Sequence, residues 1–156
     1  MSQKVLIAFD DSDNAMRAVE YVAKVLTKDC RITLFSVVPD TASICDLHSP
    51  ELTPYFKSQQ DSFCVLEKKK QELLSAAQLK AKGILVASGF QQDQIRLKSE
   101  PKKKGIARDI AAEAHTGYDL IVLGRRGLAG IKELFMGSVS QKVLSLAQEM
   151  PILIVS

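Results

Sequence analysis

Val5-Leu6-Ile7-Ala8-Phe9-Asp10-Asp11-Ser12-Asp13-Asn14 decides how the rest of the chain is read. Val5 to Phe9 is a short continuous apolar run with β-branched members, which reads as a strand buried on both faces. The polar cluster after it holds helix N-caps and turn formers. From Ala15 the period changes. Ala15, Ala18, Val19, Val22, Ala23, Val25 and Leu26 recur at spacings of three and four, so a helix is expected.

The same alternation continues outward. Residues 31–38 form a second strand-like run, closed by Pro39. Residues 39–60 carry Pro39, Pro50 and Pro54 among Ser, Thr and Asp, and read as an irregular surface excursion, long for such a connection. A long helix is expected from about residue 62 to 87. Phe63, Leu66, Leu73, Leu74, Ala77 and Ile84 share its inner face, and Lys68, Lys69 and Lys70 are read as solvated. Residues 94–98 alternate polar and apolar, as a half-exposed strand does. Residues 105–115 read as a helix with Ile106, Ile110, Ala111 and Ala114 inward, stopped by Gly117. A buried strand at 119–123 ends in Gly124. A loop then runs to Gly137, a helix covers about 138–148, and a last strand covers 151–155. Four helices and five strands in alternation imply parallel pairing through right-handed crossovers. The expected fold is a single-domain α/β sandwich over 1–156: a five-stranded parallel doubly wound sheet, Rossmann-like, with helices on both faces. In such sheets ligands sit outside the carboxyl ends of the strands, where strand order reverses.

Composition narrows the function. The chain has 156 residues, 46% hydrophobic and 25% charged, which suits one globular domain and not a disordered chain. No apolar run approaches the roughly 18 residues that span a bilayer, and Val5–Phe9 is too short for a signal-peptide core, so a cytoplasmic location without a membrane partner is expected. A net charge of +3 from 21 basic and 18 acidic residues gives no argument for nucleic acid. Three cysteines, Cys30, Cys45 and Cys64, make an odd number without a CxxC, so no disulfide framework is expected. Cys45-x2-His48 has ligand-like spacing, but no second pair accompanies it, and zinc usually takes four ligands; no metal site is assigned. His115, late in a helix, is read as favouring the helix C-terminus. Lys102, Lys103 and Lys104 are read as a solvated loop or as a long-range attraction for phosphate.

The chemistry concentrates in Gly124-Arg125-Arg126-Gly127, nine further residues, then Gly137-Ser138-Val139-Ser140. Glycine at a strand end permits close approach to the backbone. A helix N-terminus offers free N–H groups and the positive end of the dipole, an anion site. The hydroxyls of Ser138 and Ser140 add donors, and Arg125 and Arg126 add charge. The alternative is that these glycines only make turns; the whole arrangement favours phosphate. Asp10, at the carboxyl end of the first strand, is either a cap for the following helix or an acceptor for an adenine amine or ribose hydroxyl. It also stands where a Mg²⁺ would bridge to phosphate.

On these residues the chain resembles the universal stress protein family, in the branch that binds adenine nucleotide. The family signature Gly-x2-Gly-x9-Gly-Ser/Thr is matched by Gly124, Gly127, Gly137 and Ser138, and its first-strand aspartate by Asp10. Leu34-Phe35-Ser36-Val37-Val38-Pro39 is similar to its second-strand ending. The resemblance implies strand order 3-2-1-4-5 and ATP as ligand, with Mg²⁺ as a companion. It implies that Ala8, Phe9 and Asp10 line the adenosine end, and that the Val37 backbone meets the adenine edge. Leu123, Gly124, Arg126 and Gly127 would hold the ribose and α-phosphate side, and Gly137, Ser138, Val139 and Ser140 would cradle the phosphates. Asp11 departs from the glycine of many relatives, which disfavours phosphate unless Mg²⁺ is present.

No Walker, dinucleotide-binding, nucleophile-elbow or zinc-protease motif occurs, and no general base is evident beside the phosphate site. The expectation is therefore a stress-response regulatory module rather than an enzyme. The alternatives are a slow ATP hydrolase or phosphoryl-transfer enzyme, and a nucleotide-free, chaperone-like scaffold whose working surface is the 39–60 excursion. Ile152-Leu153-Ile154-Val155 is an uncharged sheet edge, and such edges invite pairing, so a two-fold homodimer through the C-terminal strand is expected.

Overall fold

Strand β1 (Lys4–Ala8) and helix α1 (Asp13–Val25) are joined by a turn that Ser12 organises. The Ser12 hydroxyl accepts the Ala15 N–H at 3.2 Å, making Ser12 the N-cap. The computed structural model describes residues 2–46, 53–125 and 136–156. Within them follow β2 (Arg31–Val38), α2 (Ala42–Cys45), α3 (Pro54–Ala87), a 3₁₀ turn (Gln92–Gln94), β3 (Ile95–Pro101), α4 (Ile106–Ala114), β4 (Leu120–Gly124), α5 (Ser138–Leu146) and β5 (Ile152–Val155). Every strand pairing is parallel and the order is β3-β2-β1-β4-β5, as expected.

The two faces of the sheet explain the unbroken apolar run in β1. Val5 and Ile7 enter a core with Val19 and Val22 of α1, Leu34 of β2 and Leu85 of α3. Leu6 points the other way, into a second core with Ile110 of α4, Ile121 and Leu123 of β4 and Val143 of α5. A strand covered on both sides cannot alternate apolar with polar. Gly117, at φ +124°, lets the chain leave α4 in a conformation that costs a side-chain-bearing residue more. His115 Nδ1 lies 2.6 Å from the Ala111 carbonyl, so the imidazole is engaged at the end of α4.

Four expectations need correction. First, α3 begins at Pro54 rather than near residue 62, because Thr53 caps it, accepting the Phe56 N–H at 3.5 Å, and Pro54 fits the first turn. With α2 ahead of it, the 39–60 region is largely helical where described, giving five α-helices rather than four. Second, α3 is 34 residues long, about 51 Å at 1.5 Å per residue. That is roughly twice the span of an eight-residue strand. The core takes only its C-terminal half, through Leu74, Ala77 and Ile84; Phe63 and Leu66 in the other half stay exposed, as does Leu73, which is turned away from the core. Third, Val25 and Ile106 also face solvent; each sits at a helix end, beyond the covered stripe. Fourth, Cys45 and Cys64 form a disulfide, with Cα atoms 5.9 Å apart, and Cys30 is free and buried. An odd count does not forbid one pair, and the pair forms because tertiary packing lays α2 against α3. The Cys45 sulfur is therefore committed, and His48 lies outside the described residues.

A buried polar chain crosses the carboxyl end of the sheet. Gln78 of α3, almost fully buried, donates from Nε2 to Ser36 Oγ at 2.9 Å and to Ser99 Oγ at 3.0 Å. Ser36 Oγ donates in turn to the Phe9 carbonyl at 2.7 Å. One side chain thus links the segment after β1 to β2 and β3, and each buried polar group has a partner.

Gly124 shows why a glycine closes β4. A Cβ built there would lie 2.9 Å from the Asn14 carbonyl oxygen and 3.0 Å from its carbon. Gly124→Ala is expected to destabilise the fold by about 1–3 kcal/mol through overpacking, read as a fall in urea midpoint at unchanged slope; a midpoint equal to wild type would show that α1 moves away without cost. Cys64→Ser opens a clip spanning 19 residues and is expected to lower stability by up to about 3 kcal/mol on chain-entropy grounds. Hydrogen exchange should rise at residues 42–45 and remain slow in β1 and β4.

Candidate functional site

The strand order reverses between β1 and β4. From β1 the chain proceeds outward to β2 and β3, and from β4 outward to β5. Ile7 and Val122 are the last pair between β1 and β4, and Asp10 and Gly124 lie two to three residues beyond them in the chain. This is the crevice where ligands of open α/β sheets bind.

The β4 side of the crevice is built by the backbone. The Gly137 N–H donates to the Arg125 carbonyl at 2.8 Å, and Ser140 Oγ donates to the Gly124 carbonyl at 2.8 Å. These bonds fasten the start of α5 to the end of β4. Gly137 is the N-cap, and the first helical bond runs from the Gln141 N–H to the Gly137 carbonyl at 3.1 Å. The N–H groups of Ser138, Val139 and Ser140 precede it and have no intrahelical acceptor. Ser138 is exposed, Val139 half-buried and Ser140 buried. The Ser140 hydroxyl has given its proton to Gly124, so its role is to hold the helix; the Ser138 hydroxyl is exposed to solvent.

On the β1 side, Asp10 is half-buried. Its Oδ1 accepts the Ser12 N–H at 3.0 Å, a local turn of the kind aspartate favours. Ser12 caps α1, so Asp10 is released from that duty, and its second oxygen has no hydrogen-bond donor among the described residues. Phe9 is 4% exposed and belongs to the core. Its N–H donates to the Phe35 carbonyl at 2.8 Å and its carbonyl accepts from Ser36. What Phe9 contributes is the placement of Asp10. Ala8 is half-buried beside it.

Val37 stands two residues beyond Phe35, whose carbonyl takes the Phe9 N–H. Its main-chain groups therefore face the same side, where β1 has already ended. Leu123 is buried in the α4/α5 core, and its main chain, in step with Ile121 and Arg125, whose N–H groups donate to the Pro151 and Val155 carbonyls, faces β5 and not the crevice. Gly124 is half-buried, and its missing side chain makes room for Asn14 of α1. Its glycine requirement thus comes from packing inside the protein. Arg126 and Gly127 lie outside the described residues. The remaining residues, Ala8, Asp10, Val37, Gly124 and Gly137 to Ser140, come from three strand ends and one helix start around one crevice.

Lys102, Lys103 and Lys104 leave β3 at the same end of the sheet. The Lys102 N–H donates to the Val38 carbonyl at 2.7 Å. The Asp109 carboxylate accepts the Lys103 and Lys104 N–H groups at 2.8 and 3.1 Å. Those donors, the Lys103 N–H first, hold Asp109 below the usual carboxylate range. Its hold on the loop is complete above the ordinary aspartate pKa and is lost as pH falls through the lowered value. The three lysine side chains remain exposed. No group of three metal-ligating side chains occurs among the described residues.

The Gln78–Ser36–Ser99 chain was not anticipated. Its signal was a glutamine inside the apolar stripe of α3, between Leu74, Ala77, Ala81 and Leu85. A polar side chain at such a position needs buried partners.

Comparison with known proteins agrees with the fold and adds a family. The model of the universal stress protein family matches residues 1–156. The chain is 31% identical to universal stress protein YxiE of Bacillus subtilis (strain 168), over 156 residues and 99% of each chain. Universal stress protein UspA from Lactobacillus plantarum superposes with a TM-score of 0.70 at 20% identity, covering 99% of this chain and 97% of that one. A universal stress protein crystallised in complex with cAMP superposes with a TM-score of 0.61 at 20% identity, covering 99% and 96%. The five parallel strands, their order and the full-length match lead to one conclusion: the chain belongs to the universal stress protein family.

Proposed function

We propose that this protein is an adenine-nucleotide-binding regulatory module that takes ATP, with Mg²⁺ as companion, in the crevice between β1 and β4. The observation that carries the reading is the start of α5, whose three first-turn amides are tied by Gly137 and Ser140 to the end of β4. Amides held in this way grip phosphate without rearrangement. The nucleoside goes to the other side. Val37 offers its main chain to the adenine edge, and the second Asp10 oxygen accepts a ribose hydroxyl. A carboxylate facing the phosphates would repel them, so Asp10 suits the nucleoside end. Asp11 and the phosphates together would draw a Mg²⁺ whose remaining ligands are water. A structural relative that carries cAMP is consistent with a nucleotide in this fold. Arg126 and Gly127 would complete the phosphate side by their resemblance to the family signature.

The reading extends to assembly and setting. β5 is an uncharged edge, and pairing with a second copy would cover it, giving a nucleotide-dependent homodimer in a stress response. Among the described residues no helix is long and apolar enough to cross a membrane, and we propose the cytoplasm as the working compartment. The Cys45–Cys64 bond weighs on the other side, since reducing compartments disfavour disulfides.

A scaffold reading has its own observation. Tyr55, Phe56, Phe63, Val65 and Leu66 are exposed along the N-terminal half of α3, more apolar surface on one element than solubility requires. On this reading the working surface would be α3 itself, whose first residues fall within the 39–60 stretch.

Ser138→Pro separates the readings. Ser138 is the first helical residue of α5, where proline is tolerated, so the fold should survive while one amide donor is removed. Wild-type protein should gain about 2.7 kcal/mol of stability at a hundredfold excess of Mg-ATP over Kd, seen as a concentration-dependent thermal shift. Ser138→Pro should weaken binding roughly tenfold or more. No shift at millimolar Mg-ATP in wild type would overturn the nucleotide reading and leave the scaffold. Turnover is expected to stay below about 1 s⁻¹. Faster turnover that disappears in Asp10→Ala would make the protein an enzyme instead.

A further inference from the structure

The opposite end of the sheet carries a second polar cavity, of about 340 Å³. It opens on the α4 side, below the turn that ends α4, and Lys4, Arg31, Thr33, Arg96, Lys98 and Tyr118 line it. The strand register explains how they meet. Lys4 of β1 pairs with Arg31 of β2, and Thr33 of β2 pairs with Arg96 of β3. In-register residues, and residues two apart on one strand, share a face of the sheet. Lys4, Arg31 and Arg96 therefore project to the face on which α4 lies, on three successive strands.

The charge balance there is uneven. Lys98 is satisfied by Glu113, at 2.9 and 3.0 Å, with Glu100 at 3.9 Å. The Asp119 carboxylate is spent on the Lys4 main-chain N–H at 2.8 Å. The side chains of Lys4, Arg31 and Arg96 have no carboxylate partner among the described residues. Asp93 lines the wall without pairing with them. Placing Lys4 directly beside Arg31 sets like charges opposite each other, which costs stability. Charges on an edge strand are readily explained as protection against stray pairing. That accounts for Arg96 on β3 but not for Lys4 and Arg31, which stand on interior strands. The Tyr118 hydroxyl donates to Glu113 Oε1 at 3.2 Å, and burial keeps that phenol above its ordinary range, so it retains its proton and the wall gains no negative charge from it.

We infer that this basin is a binding site for a compact phosphate oxyanion, free or carried on a small metabolite, separate from the β1/β4 crevice. Two guanidinium groups present the planar forks that match phosphate oxygens, and Lys4 adds a third charge. The cavity lies at the lower end of the volume range of small-molecule sites. The site answers to side-chain cations, whereas the crevice answers to backbone amides, so the two can be told apart.

The test is a titration of ¹⁵N-labelled protein at low salt, with inorganic pyrophosphate in one arm and a hexose monophosphate in the other. Saturable shifts are expected at the amides of residues 31–33 and 116–118 in at least one arm, and the tighter arm identifies the source. Arg31→Gln combined with Arg96→Gln should weaken binding roughly tenfold or more. Arg31→Lys should give an intermediate loss, because charge remains while the fork is gone. Ser138→Pro should leave binding at this basin unchanged. Shifts confined to residues 137–140, no saturation in either arm, or full binding by the double variant would overturn the inference, and none of these results depends on whether ATP binds.

Discussion

The missing side chain at Gly124 is the constraint on which the rest depends. Three elements converge on that strand end: β4 itself, the first turn of α1 through Asn14, and the first turn of α5 through Ser140. A Cβ at 2.9 Å from the Asn14 oxygen would push α1 outward. Because interiors are packed as tightly as crystals, that displacement would pass to the Ser12 cap and to the turn at Asp10. Glycine at a strand end is usually read as room for a ligand. Here the space is filled by the protein's own helix.

The two proposed anion sites stand at opposite ends of one sheet and would rest on different physics. At the carboxyl end the donors are main-chain amides whose positions are already set by α5, so a bound phosphate costs little further ordering. At the amino end the donors are long side chains, and each ordered lysine or arginine gives up as much as about 2 kcal/mol of rotamer freedom. Exposed cations are also screened beyond about 10 Å at 0.1 M salt. The proposed basin should therefore be the weaker and the more salt-sensitive of the two. The acids of the first turn, Asp10, Asp11 and Asp13, sit across the crevice from the amides, which gives it one end suited to a polyanion and another suited to hydroxyls and amines.

Rigidity at the crevice comes from the far side of the sheet. Gln78 reaches from α3 to Ser36 and Ser99, and Ser36 reaches the Phe9 carbonyl, so the residue before Asp10 is braced from α3. The same helix runs on past the sheet, where the Cys45–Cys64 bond pins α2 to it. α3 thus has two halves: one belongs to the core, and the other presents aromatic and leucine side chains outward.

The strand–helix alternation and the parallel pairing were legible in the sequence, because buried strands and amphipathic helices write their periods locally; the strand order came with the family resemblance. Val5 to Phe9, the Ser12 region and the pair Gly124 and Gly137 each announce themselves within a few neighbours. The reach of α3 was not legible in the same way, since an apolar stripe at helical spacing looks the same whether a sheet covers it or not; Leu66 and Leu74 differ in burial although both carry the same side chain on one helix. The disulfide, the bracing by Gln78 and the cluster of Lys4, Arg31 and Arg96, without carboxylate partners among the described residues, also came only with the tertiary structure. Each depends on residues far apart in the chain arriving within a few ångströms, and sequence spacing does not encode that distance.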